Sequence, residues 1–124
     1  MTTALTVQTM KAPFDSISAG DMHYTMAAAD TAGNTFQCTG REVVLILNPA
    51  GGSTYTVTIT SVADEKNRSG TITSYSMAAG VYVALPMGLT NSLGWKSTAG
   101  LVTITANNAA VLIAVIRLPA GYPN

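Results

Sequence analysis

Residues 109–118 read Ala-Ala-Val-Leu-Ile-Ala-Val-Ile-Arg-Leu and are apolar at both alternating positions until Arg117. The β-branched side chains favour an extended backbone, and so short an apolar run predicts a core strand and not a membrane span. Because both sides of such a strand are apolar, protein layers are expected above and below it. The stretch therefore predicts the centre of a layered β protein.

A second stretch, residues 41–47, is again apolar on both sides, so we expect it to lie beside the C-terminal strand at the centre of the sheet. In residues 54–60, Thr alternates with Tyr, Val and Ile, a pattern typical of a strand with one buried and one solvated face. The strand at residues 101–105 is predicted to pair with the C-terminal strand through a turn at residues 107–108. Shorter patterns predict further strands at residues 4–9, 23–28, 35–38, 71–77 and 81–85.

These strand patterns, separated by turn residues, indicate an all-β protein. The predicted architecture is an antiparallel two-sheet β-sandwich of roughly eight strands, with an immunoglobulin-like or a jelly-roll topology and an extended N-terminal arm. The 124 residues are enough for one domain with its own hydrophobic core. We expect the chain to divide into an N-terminal arm or edge strand (1–13), a β-sandwich domain (14–119) and a C-terminal tail (120–124).

The composition argues against several classes of partner. Hydrophobic residues make up 48% of the chain and charged residues only 10%, against about 25% charged in ordinary soluble domains. Six basic and six acidic residues cancel, and the basic ones are scattered, so neither nucleic acid nor a membrane is an expected partner. A weakly charged surface repels other proteins little, and part of it is expected to be covered by a partner or by further copies. The N-terminus lacks a signal-peptide pattern, so synthesis in the cytoplasm without export is expected.

The sequence offers no catalytic constellation, and an enzyme is the least expected class of protein. His23 and Cys38 have no further ligands at metal spacing, and no base accompanies a nucleophile, so neither a metal site nor a cofactor site is predicted. Cys38 is expected to be a small buried side chain. The adjacent carboxylates at residues 64–65 belong to a charged segment that is expected to be a solvated loop, or a loop that touches a neighbouring subunit through Lys66 and Arg68.

Two features of the expected surface have alternative interpretations. Trp95, in a loop with Tyr82 nearby, is either a stacking platform for sugars or a lid that folds back over the end of the sandwich. The threonine side of residues 54–60 is either solvated strand surface or a flat contact between subunits, because Thr side chains lose little rotamer freedom there.

Several short motifs occur together along the chain. Gly40-Arg41 opens a predicted central strand, a Thr-Val-Thr strand follows a Gly/Ser turn, and Arg117-Leu118 ends the C-terminal strand. With these motifs the sequence resembles the small head decoration, or cement, proteins of tailed bacteriophages. The resemblance is carried by residues 5–9, 40–48, 55–64, 77–86 and 111–118.

The sequence departs from that family pattern at two places. Met77-Ala78 stands where the family usually has a Pro before the Ala-Gly turn. Ala84-Leu85-Pro86 stands in place of a Gly-Pro-Phe-like continuation after the next strand. These departures leave the expected fold unchanged and concern the surface that meets a partner.

The resemblance implies a non-enzymatic virion protein that decorates the capsid surface and stabilises the shell by binding the lattice of the major capsid protein. It also implies self-association, with a homotrimer at threefold positions as the expected form, and it brings no catalytic residue, metal or cofactor. The N-terminal arm is expected to add a strand to a neighbour's sheet edge. Partner contacts are expected at Thr2, Leu5, Val7, Lys11, Asp64, Glu65, Lys66, Arg68 and Trp95.

Two other functions remain open from the residues alone. One is a carbohydrate-binding or host-attachment β-sandwich module of a head fibre or tail, which would use Trp95 and neighbouring tyrosines. The other is a structural protein of the neck or tail.

Overall fold

The computed structural model describes residues 2–11, 18–49, 51–62, 70–88 and 94–119. These residues form ten strands and no helix, so none of them belongs to a helix that could cross a membrane. The strands are β1 (Thr3–Ala4), β2 (Val7–Thr9), β3 (Ala27–Ala28), β4 (Asn34–Gln37), β5 (Arg41–Leu47), β6 (Tyr55–Thr60), β7 (Ile72–Met77), β8 (Tyr82–Gly88), β9 (Leu101–Ala106) and β10 (Leu112–Arg117).

The strands of the described chain form two sheets that face each other. The β9 sheet has the order β1-β4-β9-β6-β7, and the β10 sheet has the order β2-β10-β5-β8, with β3 also paired to β10. The predicted all-β sandwich is therefore confirmed, and β5 lies beside β10 at the sheet centre as expected. The N-terminal strands β1 and β2 run parallel to β4 and β10, so the sheets are mixed, while the pairings among β3 to β10 are antiparallel.

The strand order decides between the two predicted topologies. From β3 to β10 only β6 and β7 are consecutive strands that pair within one sheet, and every other connection passes to the opposite sheet. An immunoglobulin-like sandwich places several consecutive strands side by side in one sheet. The observed orders, β3-β10-β5-β8 and β4-β9-β6-β7, are instead those of a jelly roll built from eight strands.

The prediction that residues 101–105 form a hairpin with the C-terminal strand is wrong, because the two strands lie in different sheets. β9 pairs with β4 and β6, whereas β10 pairs with β5 in the other sheet. The turn at residues 107–108 carries the chain from one sheet to the other. Two hydrogen bonds fix this turn to β6: the Asn107 N–H donates to the Thr56 carbonyl at 3.0 Å, and the Thr56 N–H donates to Asn107 Oδ1 at 3.0 Å. The crossing sets the apolar sides of β9 and β10 opposite each other, which buries both.

The predicted strand at residues 4–9 is split between the two sheets. Its first part pairs with β4 and its second part with β10, so the N-terminal arm, defined here as residues 2–11, closes one side of its own sandwich. Leu5 crosses between the sheets, where its N–H donates to the Thr35 carbonyl at 2.7 Å. Leu5 and Val7 both pack against the hydrophobic core. The arm is therefore part of the domain in a single chain.

Most other strands differ from their predicted bounds by one to three residues at an end, as β10 does in covering Leu112–Arg117 of the predicted 109–118, and two differences have clear local reasons. Only Ala27–Ala28 of the predicted strand at 23–28 is extended, because the Gln8 amide exchanges two hydrogen bonds with the Thr25 backbone, at 2.8 and 2.9 Å, in place of a strand. β8 continues through Pro86, beyond the predicted end at residue 85. β8 pairs with β5 alone and forms a sheet edge, where a proline is tolerated.

The hydrophobic core lies between β5 and β10 on one side and β4, β6 and β9 on the other. Alternate residues of each strand point inward, as a pleated strand requires. The inward side chains that are 2% exposed or less include Val44, Ile46, Ile113 and Val115 of the β10 sheet and Phe36, Val57, Val102 and Ile104 of the β9 sheet.

Substituting Leu5 by Ala tests whether the arm belongs to the folded domain. We expect Leu5→Ala to lower the free energy of unfolding by about 1–2 kcal/mol, less than for a fully buried leucine because Leu5 is half-buried. The neighbouring Thr6 is exposed, and Thr6→Ala is expected to change stability by less than about 0.5 kcal/mol. Urea unfolding of both variants provides the measurement, and equal midpoints would show that the arm adds nothing to the domain.

Candidate functional site

The one charged side chain that is fully buried within the described residues belongs to Glu42, which is 1% exposed. Glu42 lies directly opposite Arg117 across the β5–β10 ladder, and Arg117 Nε donates to Glu42 Oε2 at 2.5 Å. The Thr39 N–H and hydroxyl each donate to the same carboxylate at 2.7 Å, and the N–H groups of Gly40 and Arg41 donate at 3.1 and 3.2 Å. The carboxylate is therefore saturated with donors, as a buried charge requires.

The chain turns around this carboxylate because of Gly40. Gly40 has φ of 98°, in the left-handed region that glycine enters without steric cost. This conformation lets the successive N–H groups of residues 39–41 converge on Glu42. The Leu118 N–H closes the same corner by donating to the Arg41 carbonyl at 2.8 Å. The Gly-Arg and Arg-Leu motifs of the sequence thus meet at one buried ion pair.

The ionisation of Glu42 follows from its surroundings. Burial is the largest influence on the pKa of Glu42 and raises it, but the hydrogen bond with Arg117 and those from Thr39 and Arg41 together lower it to about 2. The group is therefore ionised throughout the neutral range and has no free lone pair directed at a substrate. Its role is to hold two central strands in register.

The arm residues predicted as partner contacts lie along one side of the sandwich. Thr2 is exposed, while Leu5 and Val7 are half-buried against the core. Lys11 Nζ forms an ion pair with Asp21 Oδ2 at 3.1 Å. The hydrogen bond from the Ser18 N–H, followed by the one from Lys11, lowers the pKa of Asp21 to about 2. The arm is thus anchored along its length in its own chain.

Trp95 lies on the opposite side of the sandwich from the arm, near the free edges of β7 and β8. It is half-buried, packs against the core and lines a cavity of about 150 Å³ together with Ile59, Ile72, Leu85, Pro86 and Met87. Its indole Nε1 is buried without a hydrogen-bond partner among the described residues. This packing favours the lid interpretation over a sugar platform. Tyr82 stands at the other end of β8 from Pro86, so the two aromatic side chains do not form one surface.

The remaining sequence-predicted residues do not assemble into a chemical site. Asp64, Glu65, Lys66 and Arg68 lie outside the described residues. Cys38 is buried as predicted, with its Sγ 3.9 Å from the Met87 carbonyl oxygen, and His23 is exposed outside any strand. In the part of the chain that the structure describes, His, Cys, Asp and Glu form no group of three or more that could hold a metal ion.

The two outward sheet faces differ sharply in chemistry. The threonine face, on the outside of the β9 sheet, places Thr58 opposite Thr105 and Thr103 between Thr60 and Thr35. The apolar face, on the outside of the β10 sheet, consists of alternate residues of β5, β8 and β10, whose inward neighbours form the core. It comprises Val43, Leu45, Leu47, Tyr82, Ala84, Pro86, Leu112, Ala114 and Ile116, and it ends at Arg41, which is paired with Gly88.

The apolar face was not singled out from the sequence, although its signal was present. Residues 41–47 and 109–118 are apolar on both sides, which indicated a covering layer without saying where it would come from. Comparisons of this chain with protein-family models, curated proteins and solved structures found no match. The function has to be inferred from these surfaces and from the sequence motifs.

Stability against acid tests the role of Glu42. A pKa that falls from 4.5 to about 2 on folding stabilises the protein above pH 4.5, and this contribution is lost as the pH falls from 4.5 through 2. The shift corresponds to about 2–3 kcal/mol, after allowance for the partial exposure of Arg117. Urea unfolding between pH 7 and pH 2 is expected to show this loss in the wild type and a flatter pH dependence in Glu42→Gln.

The control for that measurement is Asp21→Asn, which removes an exposed ion pair and leaves Glu42 in place. We expect Asp21→Asn to keep most of the acid dependence between pH 4.5 and 2, because its carboxylate is not buried. A Glu42→Gln variant with the same acid dependence as the wild type would contradict the assignment.

Replacing Trp95 separates the lid from the sugar platform. As a lid, Trp95→Ala is expected to lower the free energy of unfolding by about 2 kcal/mol or more, because it removes a large side chain from the core. Tyr82→Ala is the control, since Tyr82 is 78% exposed and its loss is expected to cost little. Unfolding curves and glycan-array binding are measured together. If Trp95→Ala left stability unchanged and abolished glycan binding, the interpretation of Trp95 as a sugar platform would be supported instead.

Proposed function

We propose that this chain is a non-enzymatic structural protein of a tailed-bacteriophage virion. In this proposal it decorates the head and stabilises the capsid shell by binding the lattice of the major capsid protein, and its copies associate with one another. The sequence resemblance introduces this function, and the surfaces of the folded chain support it.

The observation that carries the proposal is the chemistry of the two outward sheet faces. The threonine face and the apolar face are broad, and Arg41, at the end of the apolar face, is the one charged residue among their strand positions. An enzyme site needs a concave pocket with convergent polar groups, whereas flat faces with little charge suit contact with other proteins. The buried Glu42 carboxylate, which elsewhere could signal catalysis, is fully engaged in holding the fold.

The threonine face is the surface that we assign to the capsid lattice. Thr103 and Thr105 on the central strand are half-buried by their neighbours, and their β-branched side chains have few rotamers to lose on contact. A polar, uncharged surface fits a contact made after both partners have folded, because such interfaces are no more apolar than ordinary protein surface.

Such a contact can stabilise a shell without being strong in each copy. A protein that binds only the assembled lattice shifts the equilibrium toward that lattice by mass action. Because the contact repeats with the symmetry of the shell, an interface on the order of 1,000 Å² per copy suffices.

Stoichiometry in purified particles tests the proposal. Quantitative mass spectrometry of the virions that carry this protein is expected to give a ratio to the major capsid protein near one, or another simple fraction set by the shell symmetry. A handful of copies per particle would assign the chain to the neck, the tail or a fibre instead. Complete absence from the particle would overturn the proposal and favour the carbohydrate-binding alternative.

The same ratio, measured with variants, tests the assigned face. Thr103→Lys places a charge at the centre of the threonine face and is expected to reduce the ratio at least about tenfold, because the charge loses its hydration in the contact. Ala79→Lys, in the exposed turn between β7 and β8, is the matched control and is expected to keep the wild-type ratio. Equal ratios for the two variants would remove the threonine face from the contact.

A further inference from the structure

The apolar face is organised in three rows that cross β10, β5 and β8. Cross-strand partners on a sheet project to the same side, so each row is a continuous band of side chains. The rows are Leu112–Leu47–Tyr82, Ala114–Leu45–Ala84 and Ile116–Val43–Pro86.

No strand of the described chain lies over this face, since all ten belong to the two sheets. Tyr82 is 78% exposed, and Ala84 and Pro86 are exposed on the edge strand. Leu45 at the centre of the face is half-buried and keeps part of its surface in solvent, whereas its β10 partner Ala114 is 2% exposed. A sandwich that is solvated on both outer faces normally alternates apolar and polar residues, as the β9 sheet does. The β10 sheet lacks that alternation on β5 and β10.

We propose that the apolar face is the surface through which this chain binds a second copy of itself. This inference deepens the self-association proposed above, and it does not depend on the contact with the capsid. Strands β5 and β10 are apolar on both sides and need a protein layer on each. In this inference a neighbouring copy supplies the outer layer.

The composition of the face favours a copy over a foreign partner. Within its three rows the Tyr82 hydroxyl is the one side-chain hydrogen-bonding group and no charge occurs, while Arg41 stands beyond the last row at the end of the face, so another apolar face is the complement of these rows. Interfaces between separately folded partners are about 57% apolar, whereas permanent homo-oligomer interfaces resemble a domain core cut in half. Rows of Leu, Ile, Val and Ala correspond to the second kind.

The extent of the face matches the centre of a contact between two copies. Three strands spaced about 4.8 Å apart and about seven residues of 3.4 Å give roughly 340 Å² in projection. The accessible area of projecting side chains exceeds their projection. Met22 and Tyr24, which are 68% and 47% exposed, add apolar surface in the segment that leads into β3 at the edge of the same sheet. The rows therefore fit the apolar centre of a contact, and the surrounding rim supplies the remainder of the about 800 Å² per partner of a standard interface.

The oligomeric state of the isolated full-length protein tests this inference. Sedimentation equilibrium of the wild type at micromolar concentration is expected to show an oligomer. Leu45→Lys is expected to raise the dissociation constant at least about 100-fold, because it buries an unpaired charge at the centre of the contact. In the monomer the new side chain points away from the core, so urea unfolding is expected to show a folded protein.

A second pair of variants keeps the test decisive. Ile116→Lys changes the neighbouring strand and replaces Leu45→Lys if that variant fails to fold. Thr103→Lys, on the opposite sheet, is the matched control and is expected to remain oligomeric. Reciprocal behaviour, with Thr103→Lys losing its place on the capsid and Leu45→Lys losing self-association, would support both assignments.

Three results would overturn the inference. The first is a wild-type protein that stays monomeric at 100 μM. The second is an oligomer whose dissociation constant is the same in Leu45→Lys and Ile116→Lys as in the control Thr103→Lys. The third is a monomeric wild type whose capsid occupancy falls in Leu45→Lys, which would assign the apolar face to the capsid lattice and leave the proposed function standing. An oligomer that is absent from virions would overturn the proposed function alone.

Discussion

The ion pair between Glu42 and Arg117 constrains the centre of this protein. A carboxylate removed from water is stable only where donors surround it, and Arg117, Thr39 and the backbone of residues 39–41 supply those donors in one register of β5 against β10. A slip by one residue would turn alternate side chains to the opposite face and leave a buried charge unpaired. The register of the two central strands therefore depends on a polar contact inside an apolar sheet.

That register also decides what the protein presents to its surroundings. With Glu42, Val44 and Ile46 inward, Val43 and Leu45 necessarily point outward, and their partners on β10 and β8 are apolar as well. The β9 sheet has the same pleat but carries threonine at its outward positions. One jelly roll thus has two outward faces of different polarity, which suits a protein that makes two different kinds of contact.

The N-terminal arm illustrates how the fold uses its edges. Its two short strands pair with β4 and β10, so they cover one edge of each sheet, and Leu5 and Val7 extend the core between them. Covered edges do not recruit other chains by strand addition. Association through sheet faces is then the simpler route to an assembly, and it leaves the arm in its own domain. The edges of β7 and β8 are closed in part by Trp95, which acts through packing.

Local patterns in the sequence determined the strands and the division of each into two sides. Residues 41–47 form β5 with the predicted bounds, and the threonine alternation of β6 has one face buried, because a period of two depends only on neighbouring residues. The sequence also indicated that β5 and β10 need cover on both sides. Only the tertiary structure decided the connections, including the crossing at Asn107, the splitting of the arm between two sheets, and the meeting of Gly40-Arg41 with Arg117-Leu118 around Glu42. These features depend on residues far apart in the chain, and their free energy exists only once the two sheets are packed together.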